Sequence, residues 1–229
     1  MPIHEFPDPR DADENGIVAV GGDLHPKSLL LAYSQGIFPW PVDDFPLIPW
    51  FCPEERGILE FARLHIPKSL AKLQRKNPYR FSIDGDFDAV IEACARVPRK
   101  SAAGGRESTW ITPEMLAAYK RFHREGYAHS VEVWARAGES EREKEKLVGG
   151  LYGVEVNGIF SGESMFSLEP NASKLALLRL IDHLRAFGVH WIDIQMVTPH
   201  MERLGARAVS RDGFLRMLKK TQRRRLRLF

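Results

Sequence analysis

The stretch "VHWIDIQMVTPH", residues 189–200, decides how this chain is read. At a period of two, Ile192, Ile194 and Met196 fall on one face, and Trp191, Asp193, Gln195 and Val197 on the other. The first face is that of a buried strand. The second carries two polar residues, the pattern either of a half-exposed strand facing water or of a strand that carries a reacting pair. Upstream, "ASKLALLRLIDHLRAF" (172–187) sets Leu177, Leu180, Ile181 and Leu184 at helical spacing, with Gly188 as the stop. Before it, "EVNGIFSGESMF" holds Asn157-Gly158, a strong hairpin signal. "AHSVEVWA" and "KLVGGLYGVEV" read as strands flanking a solvated charged loop, "RAGESEREKEK". Gly149, Gly150 and Gly153 within the second of these point to bulges or to a close approach of backbone to ligand. Antiparallel strands, then a crossing helix, then a further strand is the order of an N-acetyltransferase-like core, which periodicity alone does not separate from other α+β folds.

Further out, a strand is expected near 58–65, helices near 67–77, 86–96 and 113–125, and a strand near 79–83; Thr112 and Pro113 start the last helix. Residues 1–60 form a small lobe and 61–229 the larger domain, together a mixed α+β chain. In "GGDLHPKSLLLAYSQGIFPW" Asp23 is read as the N-cap, Pro26 as first-turn residue, Leu29, Leu30 and Tyr33 as an apolar stripe, and Gly36 as the end. Pro39, Pro41, Pro46, Pro49 and Pro53 argue against a central strand and place Trp40, Trp50 and Phe51 on rigid loops.

Composition narrows the function. With 229 residues, 44% of them hydrophobic, the chain can bury a real core. No apolar run approaches the roughly 20 residues of a membrane span, and the start lacks signal-peptide character, so a cytoplasmic protein is expected. Cys52 and Cys94 lack the spacing of a disulfide framework or a zinc site. Phosphate-loop, nucleophile-elbow, zinc-protease and dinucleotide motifs are missing, and "FSLEPNASK" stands where a coenzyme A enzyme would carry a Gly-rich loop. Net charge is only +3, but Lys68, Lys72, Arg75 and Lys76 recur at spacings of three and four on one helix face. A second basic run, "KKTQRRRLRLF", closes the sequence and reads as a soluble, disordered tail.

Together "GGDLHPKSLLLAYSQGIFPW", "STWITPEMLAAYKRFHREGYAHSVEVW", "LVGGLYGV", "FSGESMFS", "NASKLALL" and "IDIQMV", in this order over nearly the whole chain, resemble the leucyl/phenylalanyl-tRNA–protein transferases. The resemblance implies transfer of Leu or Phe, and less well Met, from aminoacyl-tRNA to proteins beginning with Arg or Lys, marking them for N-terminal-signal degradation. It implies a small N-terminal lobe on an acetyltransferase-like domain, no cofactor and a monomer. Asp193 and Gln195 become the reacting pair, and Glu163 a second acid near the acceptor. Trp40, Trp110 and Phe160 match aromatic positions around the terminal adenosine and the aminoacyl group. Leu151, Met165, Leu177, Leu180, Leu184 and Ile192 match the side-chain pocket. The basic helix would hold tRNA phosphates. A coenzyme A-dependent N-acetyltransferase and a non-catalytic RNA-binding module are the alternatives.

Overall fold

The computed structural model describes residues 2–42, 46–97, 99–100, 106–107, 110–136 and 145–229. It is a mixed α+β chain with a small sheet and a large one. The small sheet, order β1-β3-β2, is antiparallel and made of β1 (Ile17–Val20), β2 (Phe38–Pro39) and β3 (Pro49–Phe51). The proline-rich segment therefore does enter a central strand, contrary to the expectation from its prolines, and Trp50 and Phe51 lie on it. Pro49 is tolerated because it is the strand's first residue and acts only as acceptor, taking a hydrogen bond from Trp40 N at 3.0 Å. Between β1 and β2 runs α1 (Pro26–Ser34), with Pro26 at its start and Gly36 beyond its end at φ +80°. Its N-cap is His25, whose Nδ1 accepts from Lys27 N, rather than Asp23, which instead binds His25 N and Ser28 Oγ.

The large sheet has seven strands in the order β12-β4-β11-β10-β9-β8-β5. They are β4 (Glu55–Glu60), β5 (Tyr79–Ile83), β8 (Ala128–Ala135), β9 (Lys146–Val156), β10 (Ile159–Ser167), β11 (Trp191–Gln195) and β12 (Arg207–Ser210). A separate ribbon pairs β6 (Arg99–Lys100) with β7 (Arg106–Glu107). The strand expected near 58–65 is β4, ended by a 3-10 turn over Phe61–Arg63. Asn157 (φ +54°) and Gly158 (φ +82°) make the β9–β10 turn, and α5 (Ala172–Ala186) crosses over so that β11 runs parallel to β10. The helices α2 (Lys68–Lys76), α3 (Phe87–Arg96) and α4 (Pro113–Arg124) stand where periodicity put them, and α7 (Arg211–Gln222) follows the short α6 (Pro199–Glu202). The charged loop between β8 and β9 lies, over 137–144, outside the described residues.

Apolar side chains divide into two clusters, one on each face of the large sheet. The first joins residues of α1, α3, α4 and α7 with Trp191 and Phe166; the second joins α5 and Leu70 of α2 with Ile192, Phe160 and Leu151. Two of the strand glycines serve this packing. A Cβ on Gly149 would lie 2.5 Å from Ala172 Cβ on α5, and one on Gly153 would lie 2.5 Å from the Phe160 ring. The basic tail is ordered too: Leu228 is fully buried in the second cluster, and Phe229 stacks on His129 with ring centroids 3.9 Å apart. Its alternating Leu226 and Leu228 anchor it, a pattern masked in sequence by Arg227 between them and the arginines before them.

Candidate active site

On β11 the alternation holds through Asp193: Trp191 and Asp193 face the first cluster, Ile192 and Ile194 the second. The parallel ladder of β10 with β11 consists of the single pair Ser161–Asp193. Beyond it both strands are irregular, β10 between Gly162 and Ser164 and β11 between Asp193 and Gln195. On β11 the backbone donors turn inward, Gln195 N to Asp193 Oδ1 at 2.9 Å and Met196 N to Ile194 O at 2.6 Å. Gln195 adopts a left-handed backbone, φ +62°, which for a non-glycine residue costs about 1–2 kcal/mol and must be held by its surroundings. On β10 the bulge shifts the phase, so that Glu163 joins the first face while Met165, two residues on, packs with the second cluster. The two strands thus part at the level where Glu163 and Gln195 stand.

Here four polar side chains converge. Glu163 Oε1 accepts from Gln195 Nε2 at 2.7 Å and from Tyr33 Oη of α1 at 2.8 Å; Tyr119 Oη of α4 lies 3.4 Å from Oε2 and hydrogen-bonds to Tyr33 Oη. Burial lifts the Glu163 carboxyl to about 8, opposed by the Tyr33 hydrogen bond and reinforced by the charge of Asp193. Burial, and then the charge of Glu163, push both tyrosine hydroxyls well above their ordinary value. In the sequence Glu163 and Gln195 stand out as site candidates, whereas Tyr33 belongs only to an apolar stripe and Tyr119 is not marked out. The available signal was that a tyrosine on a core-facing helix stripe needs a partner for its hydroxyl.

Asp193 is completely buried and its oxygens are fully engaged. Arg56 on β4 donates from Nε to Oδ1 at 2.8 Å and from Nη2 to Oδ2 at 2.6 Å, and Ser161 Oγ donates to Oδ2 at 2.9 Å. Arg56, itself 1% exposed, also donates from Nη1 to Gly36 O and lies between the Phe38 and Phe214 rings, 4.6 and 4.4 Å from their centroids. Burial pulls its guanidinium pKa down, Asp193 pulls it up, and the net is upward. Nothing in the sequence singled out Arg56 or Ser161.

Trp40, just after β2, and Trp110, just before α4, are half-buried and stack on each other with centroids 5.6 Å apart and planes 22° apart. Leu151, Phe160, Leu177, Leu180, Leu184 and Ile192 come together in the second cluster, buried, with Met165 partly exposed at its edge, across the sheet from Asp193. Lys68, Lys72, Arg75 and Lys76 are all exposed on α2, without carboxylate partners among the described residues. A groove of about 430 Å³ lies between α2, β5 and α5, lined in part by Tyr79, Arg80, Arg136 and Arg179; none of the converging polar residues borders it. Among the described residues no three His, Cys, Asp or Glu side chains are arranged to hold a metal ion, and no helix is long and apolar enough to cross a membrane.

Residues 58–219 match the family model of the leucyl/phenylalanyl-tRNA protein transferases, and residues 22–54 that of their N-terminal domain. The chain belongs to this family. Its similarity to leucyl/phenylalanyl-tRNA–protein transferases extends along the sequence: 50% identity to that of Pseudomonas entomophila over 88% of this chain and 83% of the relative. To that of Colwellia psychrerythraea it is 46% over 89% and 80%, and to that of Syntrophotalea carbinolica 46% over 95% and 92%. The family's N-terminal domain thus contributes Tyr33, and the matched segment that follows contributes Tyr119, Glu163 and Gln195, to one polar cluster.

Proposed function

We propose that the chain moves a leucyl or phenylalanyl group, and less readily a methionyl group, from aminoacyl-tRNA to the α-amine of a protein beginning with Arg or Lys. The product then enters N-terminal-signal degradation. The observation that carries this reading, within a chain of this family, is the buried Glu163–Gln195–Tyr33–Tyr119 cluster at the parting of β10 and β11. The large sheet, with its hairpin, crossing helix and parallel strand, supports an N-acetyltransferase-like core.

The donor ester is already activated, so neither ATP nor a metal is needed. The α-amine attacks the ester carbonyl, a C–N bond forms, the C–O bond to the ribose breaks, and a proton passes from the amine to the departing ribose oxygen. The enzyme's task is positioning and charge stabilisation. Gln195, whose amide both donates and accepts, orients amine and carbonyl. Within the reacting pair Asp193 is the anchor, because Arg56, Ser161 and Gln195 N occupy its oxygens. Glu163, with its carboxyl near 8, is the acid suited to hold the incoming amine and take its proton.

The Trp40–Trp110 stack offers faces to the terminal adenine, since base–aromatic stacking contributes roughly 1–3 kcal/mol without demanding sequence. The second cluster, reached by way of Met165, takes the apolar side chain. The basic face of α2 holds tRNA phosphates, and the reaction belongs in the cytoplasm, where aminoacyl-tRNA is made. The test is a transfer assay with labelled Phe-tRNA and peptides beginning with Arg, Lys or Ala. Label on the Arg and Lys peptides alone is expected; label on none, together with protection of the protein from heat by acetyl-coenzyme A, would replace this reading with an acetyltransferase.

A further inference from the structure

Among the described residues Arg56 is the largest buried charged side chain, and it does not touch the converging polar cluster directly. It reaches that cluster through one relay. Its Nε and Nη2 fix both oxygens of Asp193 (2.8 and 2.6 Å); Asp193 Oδ1 then accepts from Gln195 N (2.9 Å), and Gln195 Nε2 reaches Glu163 (2.7 Å). The step from Asp193 to Gln195 is a local turn in which a side-chain oxygen captures the amide two residues on. That turn holds Gln195 in its left-handed conformation. The turn is only as well defined as the acceptor oxygen, and the acceptor is set by a planar donor fork gripping both oxygens at once.

The fork is itself fixed from three sides. Phe38 and Phe214 cover its two faces, and the Gly36 carbonyl, just beyond α1, takes Nη1 at 3.0 Å. These contacts come from β2, α7 and the end of α1, so one guanidinium ties three separate elements to the end of β11. Gly57, the next residue of β4, lets β11 turn close by: a Cβ there would lie 2.7 Å from the Met196 carbonyl carbon.

We propose that Arg56 is a positioning residue of the transfer reaction, acting through Asp193 to set the conformation of Gln195; this rests on the reading of Asp193 and Gln195 given above. Arg56→Lys keeps the charge but replaces the fork with a single ammonium, which cannot grip both carboxylate oxygens and Gly36 O in the same plane. kcat and KM are measured for wild type, Arg56→Lys, Asp193→Asn and the double variant, with Phe-tRNA and an Arg-initial peptide, below the lowest melting temperature of the set. Misplacement of a reacting group by about 1 Å lowers turnover about 100-fold. Arg56→Lys is accordingly expected to lose about that much in kcat with the donor KM unchanged, and the double variant to be no slower than the slower single one.

Losses that multiply in the double variant, or a kcat for Arg56→Lys near wild type beside an inactive Asp193→Asn, overturn the positioning role and leave the site reading standing. Full turnover in both Asp193→Asn and Gln195→Ala overturns the site reading and the proposal with it. Where Arg56→Lys yields no folded protein, Phe214→Leu opens one face of the clamp and keeps the ion pair. It is expected to lower kcat in the wild-type background and not in the Asp193→Asn background, and equal losses in the two overturn the proposal.

Discussion

Replacing Glu163 by Gln should make the protein more stable at alkaline pH while leaving its acid stability nearly unchanged. The carboxyl is buried, 8% exposed, and titrates at about 8 instead of its ordinary 4.5. The folded pKa is raised, so the folded state favours the protonated acid. The stability this contributes is fully present below about pH 4.5 and is lost as pH rises, completely so above about pH 8. Each pH step within that window lowers stability by about 1.36 kcal/mol, so wild type forfeits on the order of 5 kcal/mol across it. Glutamine imitates the protonated acid: its Oε1 can accept from Tyr33 and Gln195, and its Nε2 stands in for the protonated Oε2 near Tyr119. The assay is urea unfolding of both proteins at several values between pH 5 and pH 9. The difference in unfolding free energy should be small at pH 5, grow in favour of the variant, and level off above pH 8. A difference curve that stays flat would refute the argument, because it would mean that Glu163 ionises in the folded protein as easily as in water.

On α2, the Lys72→Ala, Arg75→Ala double variant should flatten the salt dependence of tRNA binding by about two ions, measured by filter binding across salt concentrations; an unchanged slope returns this helix to plain solvated surface. Leu184→Ala should lower stability by about 2–5 kcal/mol, since the side chain is wholly buried. If the second cluster also senses the transferred side chain, the ratio of Phe to Leu transfer changes as well, and assaying both donors beside a melting curve separates the two effects. Gly149→Ala should lower stability by about 1–3 kcal/mol through the 2.5 Å approach to Ala172; a melting temperature equal to wild type would show that α5 shifts to admit the methyl.

What could be read in the sequence was whatever depends on neighbours along the chain. The stripes of α3, α4 and α5, the Asn157-Gly158 turn and the alternation through Asp193 all lie within a few residues, and each was legible. The small sheet was not, because strands of two and three residues carry no period and their prolines read only as breakers. The polar half of the site was legible only in part. Gln195 and Asp193 stood out against an apolar strand, but the partners that define their roles are remote: Arg56 is 137 residues from Asp193, and Tyr33 is 130 from Glu163. In "CPEERGILE" Arg56 resembles any charged residue at the start of a strand, and only the closure of β4 against β11 makes it an interior cation.

The distribution of polar groups follows from the chemistry. A buried ion pair and a buried acid are poor ways to stabilise a core; well-packed apolar residues in their place are often neutral or stabilising. A reaction on an activated ester needs little from an enzyme except geometry, and geometry is what this arrangement provides. Arg56, Ser161 and Gln195 N together occupy the oxygens of Asp193, so the carboxylate is not free to relax, and the strained backbone of Gln195 is held by the oxygen it shares with Arg56. Glu163, by contrast, has no cation in contact among the described residues and keeps an unsettled charge near neutral pH, the condition under which it can accept a proton and give it up again. A Glu163→Gln protein that is more stable at pH 8 and yet slower in transfer would therefore locate the site's stored instability in the group that handles the amine, with the Arg56–Asp193 clamp as the fixed frame against which it works.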